Sequence, residues 1–216
     1  MTAQATDKNW GATTKGNTVF IVDDDAEISQ SLESLLRSLG YQVEAFTSSQ
    51  SFLDRVEEGV SGCVLLDVRI PGISGLEIQR RLAQAQQTIP IVFLTGHGDI
   101  QMAVSAMKAG AVEFLPKPFR EQQLIDAVSE AMEQSVRAEE DGRIRSTYQE
   151  NMTALSPKER EILDDLSSGL HIKEVACKRA LSTSTVRVHR RNINFKIKST
   201  SLSNLLILHN KYGRNT

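Results

Sequence analysis

Residues 63–72 read CVLLDVRIPG, a short apolar run that ends in Asp67 and is followed by a proline–glycine loop. An apolar run of this length, bounded by a turn, is typical of a buried strand. The loop at Pro71-Gly72 is expected to keep the carboxylate accessible. The stretch therefore predicts a strand whose last residue presents a carboxylate at the edge of a sheet.

Strand-like and helix-like segments alternate on both sides of this stretch, from Thr18 onward. The strands are short apolar runs, and the helices have apolar residues every three or four positions. Strands are predicted at 19–22, 42–46, 63–67, 91–94 and 112–115, and helices at 26–39, 48–57, 75–85, 100–109 and from 121 onward. Five alternating units predict an α/β domain with a parallel sheet and helices on both faces.

Four of the five predicted strands end in polar residues suited to chemistry: Asp23 and Asp24, Asp67, Thr95, and Lys117. Ligands of such sheets bind at the carboxyl ends of the strands. Clustered carboxylates repel one another unless a cation lies among them, and oxygen ligands beside a phosphate suit Mg²⁺. A carboxylate can also attack phosphorus, while a lysine and a hydroxyl stabilise the phosphoryl oxygens. The pattern predicts an aspartate that is phosphorylated with the help of magnesium.

Each of these residues also has a simpler interpretation when it is taken alone. Asp23, Asp24 and Asp25 are typical caps for the first helix, a role that fits Asp25 best. Lys117, beside a proline, is also typical of a turn. The occurrence of such residues at four strand ends together favours a site over four unrelated structural roles.

Four motifs carry a family resemblance: VDDD (22–25), LDVRIPGISG (66–75), LTGHGD (94–99) and FLPKPF (114–119). In this order they resemble the receiver domain of FixJ-type response regulators, a five-stranded parallel sheet of the flavodoxin or CheY type. The resemblance implies that Asp67 accepts a phosphoryl group from a sensor histidine kinase. It also implies that Asp23, Asp24, Asp67 and the main-chain carbonyl of Arg69 hold Mg²⁺.

The same resemblance assigns roles to residues after the last two strands. Thr95 and Lys117 bind the phosphoryl oxygens, and Phe114 matches the aromatic switch position. The bond from Lys117 to Pro118 is expected to be cis. His97 could suggest a catalytic base, but no nucleophilic serine or cysteine accompanies it, so a loop residue shaping the switch region is preferred.

The charge is distributed unevenly along the chain, which favours a polyanionic partner for the second half. Residues 1–153 carry 13 basic and 22 acidic side chains, a balance of −9, whereas residues 154–216 carry 12 and 5, a balance of +7. Four short helices are predicted in the basic part, the first capped by Ser156 with Pro157 and Glu159 in a capping box. The second and third, at about 171–180 and 183–198, have helix-turn-helix spacing.

The third of these helices is rich in basic residues, and two interpretations are open: a solvated face or an element that enters the major groove of DNA. Small polar residues mixed with arginines favour DNA. Arg187, Val188 and Arg191 share a helical face and are the candidates for base contacts. Lys173, Thr185, His189 and Lys196 are the candidates for phosphate contacts.

Two further motifs, LSPKEREIL (155–163) and TVRVHRRNI (185–193), resemble the LuxR-type DNA-binding domain, the usual output of such regulators. Three features depart from that pattern. Arg179 lies where the family has a buried leucine, Ser199 lies where it has an apolar residue, and the pair Asn194-Phe195 is atypical. These departures put the packing around the turn in question.

The predicted organisation is a disordered arm (1–17), a receiver (18–133), a helical linker (134–153) and a DNA-binding domain (154–216). No apolar run approaches the roughly 18 residues of a membrane span, and the N-terminus lacks a signal peptide's apolar stretch. Cys63 and Cys177 have no metal-ligand spacing and are predicted to be buried thiols, consistent with a cytoplasmic protein.

The sequence thus predicts a transcription factor controlled by phosphorylation, not an enzyme. Its expected partners are a sensor histidine kinase, double-stranded DNA, RNA polymerase and, after phosphorylation, a second copy bound through residues 100–109 and the last strand. One alternative is a phosphorelay regulator whose DNA-binding domain is degenerate. Another is a phosphohydrolase, which normally needs a second acid two residues after the nucleophile, where Arg69 lies here.

Overall fold

The computed structural model describes residues 17–57, 59–96 and 100–213. The chain divides into two compact units between Glu139 and Glu140. Residues 1–16 of the predicted arm, and also His97, lie outside the described residues.

The first unit is an α/β domain, as predicted. Its parallel strands are β1 (Thr18–Val22), β2 (Gln42–Phe46), β3 (Gly62–Asp67), β4 (Ile91–Thr95) and β5 (Glu113–Pro116), in the order β2-β1-β3-β4-β5. Its helices are α1 (Ala26–Ser38), α2 (Ser49–Glu57), α3 (Gly75–Gln84), α4 (Ile100–Lys108) and the first part of α5 (Glu121–Thr153). The strand order reverses between β1 and β3, which is where sheets of this kind bind ligands.

Both faces of the sheet are buried because successive side chains of a strand point to opposite faces. On one face Ile21 and Leu65 pack with α1 and α5, and on the other Phe20 and Leu66 pack with α2, α3 and α4. Every residue of β3 is buried. This core fixes the position of Asp67, the last residue of that strand, at the edge of the sheet.

A local cap holds the start of α1 next to the end of β1. The Asp25 carboxylate accepts hydrogen bonds from the main-chain N–H groups of Glu27 and Ile28 at 3.0 and 3.2 Å. The predicted cap role of Asp25 is confirmed. Asp23 accepts a bond from the Asp25 N–H through Oδ1 at 3.0 Å, so its carboxylate stays at the end of β1.

The second unit is helical and contains the last part of α5, α6 (Pro157–Ser167), α7 (Ile172–Lys178), α8 (Thr183–Ile197) and α9 (Leu202–Tyr212). The predicted capping box at the start of α6 is present. Ser156 Oγ accepts from the Glu159 N–H at 3.3 Å, and the Glu159 carboxylate accepts from the Ser156 N–H at 2.8 Å. The buried side chains of Ile162, Val186 and Leu205 bring α6, α8 and α9 into one core.

The segment predicted as a linker, residues 134–153, is helical throughout and ends inside the second unit's core. Tyr148 is buried, and its hydroxyl is hydrogen-bonded to His209 Nδ1 at 2.6 Å. His209 Nε2 lies 2.8 Å from Asp164 Oδ1. Asp141 of α5 bonds in the same unit to Lys211 and Tyr212. The last turns of α5 are therefore structural parts of the helical unit.

Alkaline pH is expected to destabilise the helical unit through Tyr148. Burial, and secondarily the charge of Asp164, raises the pKa of this phenol to about 12, against about 10 in the unfolded chain. The folded state then holds a proton that the unfolded state releases, so the stabilisation present below pH 10 is lost as pH rises through 12. We expect the free energy of unfolding to fall by about 2 kcal/mol over this window.

Chemical denaturation of the full chain and of Tyr148→Phe across this pH range measures the effect. The variant lacks the titrating hydroxyl, so its stability should fall less between pH 10 and pH 12. Tyr41→Phe, at a half-buried site in the first unit, is the matched control. Parallel pH profiles for wild type and Tyr148→Phe would contradict the assignment.

The two cysteines differ in exposure. Cys63 is buried in β3, and burial raises the pKa of its thiol to about 12. Cys177 is exposed on α7, so the prediction that it is buried was wrong. The apolar face of α7 that enters the core is formed by Val175 and Ala176, and the next residue turns toward solvent.

Candidate functional site

The ends of β1 and β3 bring three carboxylates together. Asp23 and Asp67 are buried and Asp24 is exposed, and one oxygen from each lies within 4.8 Å of the others. The sequence predicted this convergence. Three like charges at such separations repel one another, and a positive charge among them reduces that repulsion.

Lys117 supplies a positive charge from the end of β5. Its Nζ lies 2.5 Å from Asp23 Oδ2 and 2.8 Å from Asp67 Oδ2. Burial acts to lower the pKa of Lys117, but the hydrogen bonds to Asp23 and Asp67 outweigh burial and raise the pKa above its ordinary value. The ammonium therefore remains charged and links the two buried carboxylates.

The backbone around Lys117 and Thr95 joins β4 to the same edge. The Lys117 N–H donates to the Thr95 carbonyl at 2.7 Å, and the bond from Lys117 to Pro118 is cis, as the resemblance implied. Thr95 is fully buried. Phe114 is half-buried, with its ring centroid 6.1 Å from that of Phe93. Thr95 and Phe114 thus lie on adjacent strands, and Lys117 directly follows the second of them.

The loop after β3 orients Asp67 through its own backbone. The Arg69 N–H donates to Asp67 Oδ1 at 3.0 Å, and the Gly75 N–H donates to the Val68 carbonyl at 3.0 Å. A Cβ added at Gly75 would lie 2.4 Å from the Asp67 carbonyl oxygen. Gly75 is therefore a positioning residue that sequence reasoning did not single out, although it ends the motif at 66–75.

The donor set of this cluster fits a hard divalent cation. Its ligand atoms are carboxylate oxygens: the carboxylates of Asp23 and Asp67 each accept a main-chain hydrogen bond at 3.0 Å, and that of Asp24 is exposed. Mg²⁺ is commonly bound through a few carboxylates while it keeps several waters. The exposed side of the cluster leaves room for those waters.

The second candidate surface lies along α8. Ser182 caps this helix by accepting from the Thr185 N–H at 3.0 Å. Arg187, Val188 and Arg191 are exposed on one side of the helix, while Val186, Ile193 and Ile197 face the core. The three residues predicted to contact bases therefore share a solvent-facing surface.

The four predicted phosphate contacts differ in their surroundings. Lys173 is exposed, and Thr185 and His189 are half-buried. Lys196 instead pairs with the buried carboxylate of Glu159, at 2.7 Å. Burial acts to raise the pKa of Glu159, but the bond to Lys196 and the cap hold it below its ordinary value. Lys196 thus joins α8 to the capping box of α6.

Comparison with known proteins identifies both units. The family model of the response regulator receiver domain matches residues 19–129 of the sequence. The family model of bacterial regulatory proteins of the luxR family matches residues 153–209. The chain belongs to the response regulators. It combines a receiver with a LuxR-type DNA-binding domain, the architecture of a transcription regulator, and the resemblances found in the sequence are confirmed.

The similarity to relatives extends across both units of the chain. The response regulator protein TodT of Pseudomonas putida is 41% identical over 192 residues, covering 89% of this regulator and 85% of that protein. The transcriptional regulatory protein FixJ of Bradyrhizobium diazoefficiens is 39% identical over 201 residues, covering 93% and 98%. The solved structure of response regulator StyR has 42% identity and a TM-score of 0.74, covering 90% and 98%.

Arg179, one departure of this regulator from the LuxR pattern, has a structural role. Its guanidinium contacts the Asp165 carboxylate at 2.5 Å and the Glu161 carboxylate at 2.6 Å, and Lys178 also pairs with Asp165 at 2.6 Å. Asp165 is only 3% exposed, and its bond to Arg179 is the main cause of its lowered pKa. An ion-pair network between α6 and α7 therefore takes the place of an apolar contact.

The other departures lie at the end of α8. Asn194 Oδ1 and Ser199 Oγ are buried and have no hydrogen-bond partner within the described part of the chain. Phe195, between them, is exposed.

Among the helices that the structure describes, none combines the length and the apolar composition that a membrane span requires.

Proposed function

We propose that Asp67 is the phosphoacceptor and that a sensor histidine kinase is the donor, with the reaction in the cytoplasm. The observation that supports this most directly is the convergence of Asp23, Asp24, Asp67 and Lys117 at one sheet edge. Asp67 acts as the nucleophile toward phosphorus. Lys117 neutralises charge on the transferred group, and the Thr95 hydroxyl donates to one of its oxygens.

Mg²⁺ is the proposed cofactor of this step. Asp23, Asp24, Asp67 and the main-chain carbonyl of Arg69 would hold it. When bound, the ion offsets the repulsion between the acceptor carboxylate and the incoming phosphate. Asp23 is kept in place for this role by the Asp25 N–H, and Asp67 by the Arg69 N–H.

Phosphorylation is proposed to act by shifting an existing equilibrium between two states. A phosphoryl group can do so only if it binds one state better than the other. Thr95 supplies that difference when it moves toward the phosphoryl oxygens, and the ring of Phe114, which lies 6.1 Å from that of Phe93 in this structure, changes direction with it. Two alternatives are proposed for the inactive state. Either the receiver covers the DNA-binding domain, or the receiver does not dimerise and the regulator stays monomeric.

The surface of α4 is the proposed contact of the active homodimer, together with β5. Ile100, Val104 and Met107 are large apolar side chains that are exposed on this helix. Three such residues on one short helix form an apolar patch, which is typical of an interaction surface. Dimerisation would bring two helix-turn-helix units to two half-sites of DNA, where RNA polymerase is the further expected partner.

A charge within this patch is expected to weaken the dimer by more than tenfold. In Val104→Asp, an unpaired carboxylate would have to be buried in an apolar contact. Sedimentation equilibrium of the full chain with Mg²⁺ and beryllofluoride, a mimic of the phosphoryl group, measures the dissociation constant.

Val136→Asp is the matched control, because Val136 is similarly exposed (57%, against 46% for Val104) but lies on α5. It should dimerise like the wild type. A wild-type protein that stays monomeric with beryllofluoride, or Val104→Asp dimerising normally, would sink the proposed dimer surface.

DNA contact is proposed through the exposed side of α8. Arg187, Val188 and Arg191 would meet base edges, and Lys173, Thr185 and His189 would meet phosphates. Lys196 belonged to the second group, but its pairing with Glu159 makes it the weakest member.

Asn194 and Ser199 have buried polar atoms without a hydrogen-bond partner among the described residues, which favours one competing function, a phosphorelay regulator that no longer binds DNA. Gel-shift experiments with genomic fragments separate the two possibilities. Specific shifts that Arg187→Ala and Arg191→Ala remove support the DNA-binding function. The absence of any specific shift, with or without beryllofluoride, would favour the relay.

A further inference from the structure

Phe195 is an aromatic residue that the proposed function leaves without a role. The chain has seven phenylalanines, all within the described residues, and six of them are buried or half-buried. Phe195 is 84% exposed and lies in the last turn of α8. A single exposed apolar side chain is common on protein surfaces, and it indicates a contact surface only when it shares a face with other residues suited to the same contact.

The position of Phe195 on the helix connects it to the proposed base-reading residues. Val188, Arg191 and Phe195 are spaced by three and four residues, so they lie in one row along α8. All three are exposed, and the residues that enter the core, such as Ile193, lie on the other side. Phe195 therefore extends the same face by one further turn.

The charge around this face favours a nucleic-acid duplex over an apolar protein partner. Arg187 and Arg191 are exposed on it, and residues 154–216 carry an excess of seven positive charges. A duplex offers one apolar group on the floor of its major groove, the 5-methyl group of thymine. An aromatic side chain in line with two proposed base-reading residues can make an apolar contact with that methyl group.

We infer that Phe195 is a specificity-determining residue that contacts a thymine methyl group in the major groove. The inference rests on the proposed DNA-binding function. Seven residues separate Phe195 from Val188, or about 10 Å along the helix axis. With 3.4 Å per base step, the thymine lies at most about three base pairs from the base that Val188 meets.

Binding selection from random duplexes, using the full chain with Mg²⁺ and beryllofluoride, tests this first. The wild type should enrich thymine at one position on the flank of each half-site, and Phe195→Ala should lose that preference alone. The second step replaces that thymine by deoxyuridine, which lacks only the methyl group. Wild-type affinity should fall by about fourfold, the value of one apolar carbon, whereas Phe195→Ala should bind both duplexes equally.

Two further variants keep the outcomes distinct. Ile207→Ala removes an apolar side chain that is also exposed (64%), but on α9, and should retain the response to deoxyuridine. Arg187→Ala should weaken binding to every selected duplex. If Arg187→Ala weakens binding while wild type and Phe195→Ala respond equally to deoxyuridine, the inference on Phe195 fails and the DNA-binding function stands.

Two other results would overturn the inference. If no duplex is enriched and Arg187→Ala changes nothing, the proposed DNA-binding function fails together with it. If Phe195→Ala alters self-association in sedimentation but not thymine preference, the face contacts a second copy instead. Unchanged melting temperatures of the variants establish that they fold.

Discussion

Phosphoryl incorporation into Asp67→Asn is expected to fall to background, a loss of about a thousandfold or more. The carboxamide has nearly the same shape as the carboxylate but is not a competent nucleophile toward phosphorus. Lys117 retains its bond to Asp23 in the variant, so the pocket keeps one of its two ion pairs. The measurement is acid-quenched transfer from acetyl phosphate or a sensor kinase, followed by mass spectrometry of the intact chain.

Asp25→Asn is the matched control for this experiment. Asp25 adjoins the cluster but caps α1, and asparagine is an equally good cap, so incorporation should match the wild type. Chelation of Mg²⁺ should also abolish incorporation into the wild type. Asp67→Asn that is labelled as fast as the wild type would place the acceptor elsewhere.

The strand ends of the receiver were predictable because their signals are local. Each strand is a short apolar run, and Asp23, Asp67 and Thr95 are the polar residues found where those runs end. Parallel strands must place such residues at one edge of the sheet. The ion pairs of Lys117 with partners 94 and 50 residues earlier in the chain could not be obtained in this way, because they depend on side-chain geometry.

Contacts between distant helices account for most of what the sequence did not reveal. Tyr148 stands among charged residues in the sequence and was assigned to a linker, yet it is buried in the core of the helical unit, where its hydroxyl is hydrogen-bonded to His209, 61 residues later. No local period signals such a contact. Cys177 was predicted to be buried but is exposed. A short apolar stretch does not determine which residue of a helical turn faces the core.

Arg179 illustrates how a departure from a family pattern can be compensated. Its position suggested a defect in the packing before the turn, since an arginine replaces a buried leucine. The compensation lies in Asp165, a buried carboxylate of α6 that holds both Arg179 and Lys178. Leaving such a carboxylate unpaired is costly, so these residues act as a set. Ion pairs therefore stabilise the turn in place of an apolar contact, and α8 keeps its exposed basic face.

The double variant Arg187→Ala/Arg191→Ala is expected to lose about 100-fold or more in affinity for a selected duplex. A bidentate arginine contact with a guanine is worth about 1–3 kcal/mol, so each removal costs between about fivefold and about 150-fold, and mid-range values for both give a loss above about 100-fold. Both side chains are exposed on α8, and the alanines favour the helix, so the fold should persist. Fluorescence anisotropy with selected and scrambled duplexes at several salt concentrations measures the change.

The comparison between duplexes decides whether the arginines read bases or only neutralise phosphates. Loss of base contacts should lower the ratio of selected to scrambled affinity, whereas Lys173→Ala should weaken both duplexes equally and reduce the salt dependence by about one counterion. Lys158→Ala, which removes an exposed charge at the start of α6, is the control for net charge and should bind like the wild type. An unchanged ratio in the double variant would mean that α8 contacts the backbone alone, and sequence preference would then have to come from other residues or from the shape of the duplex.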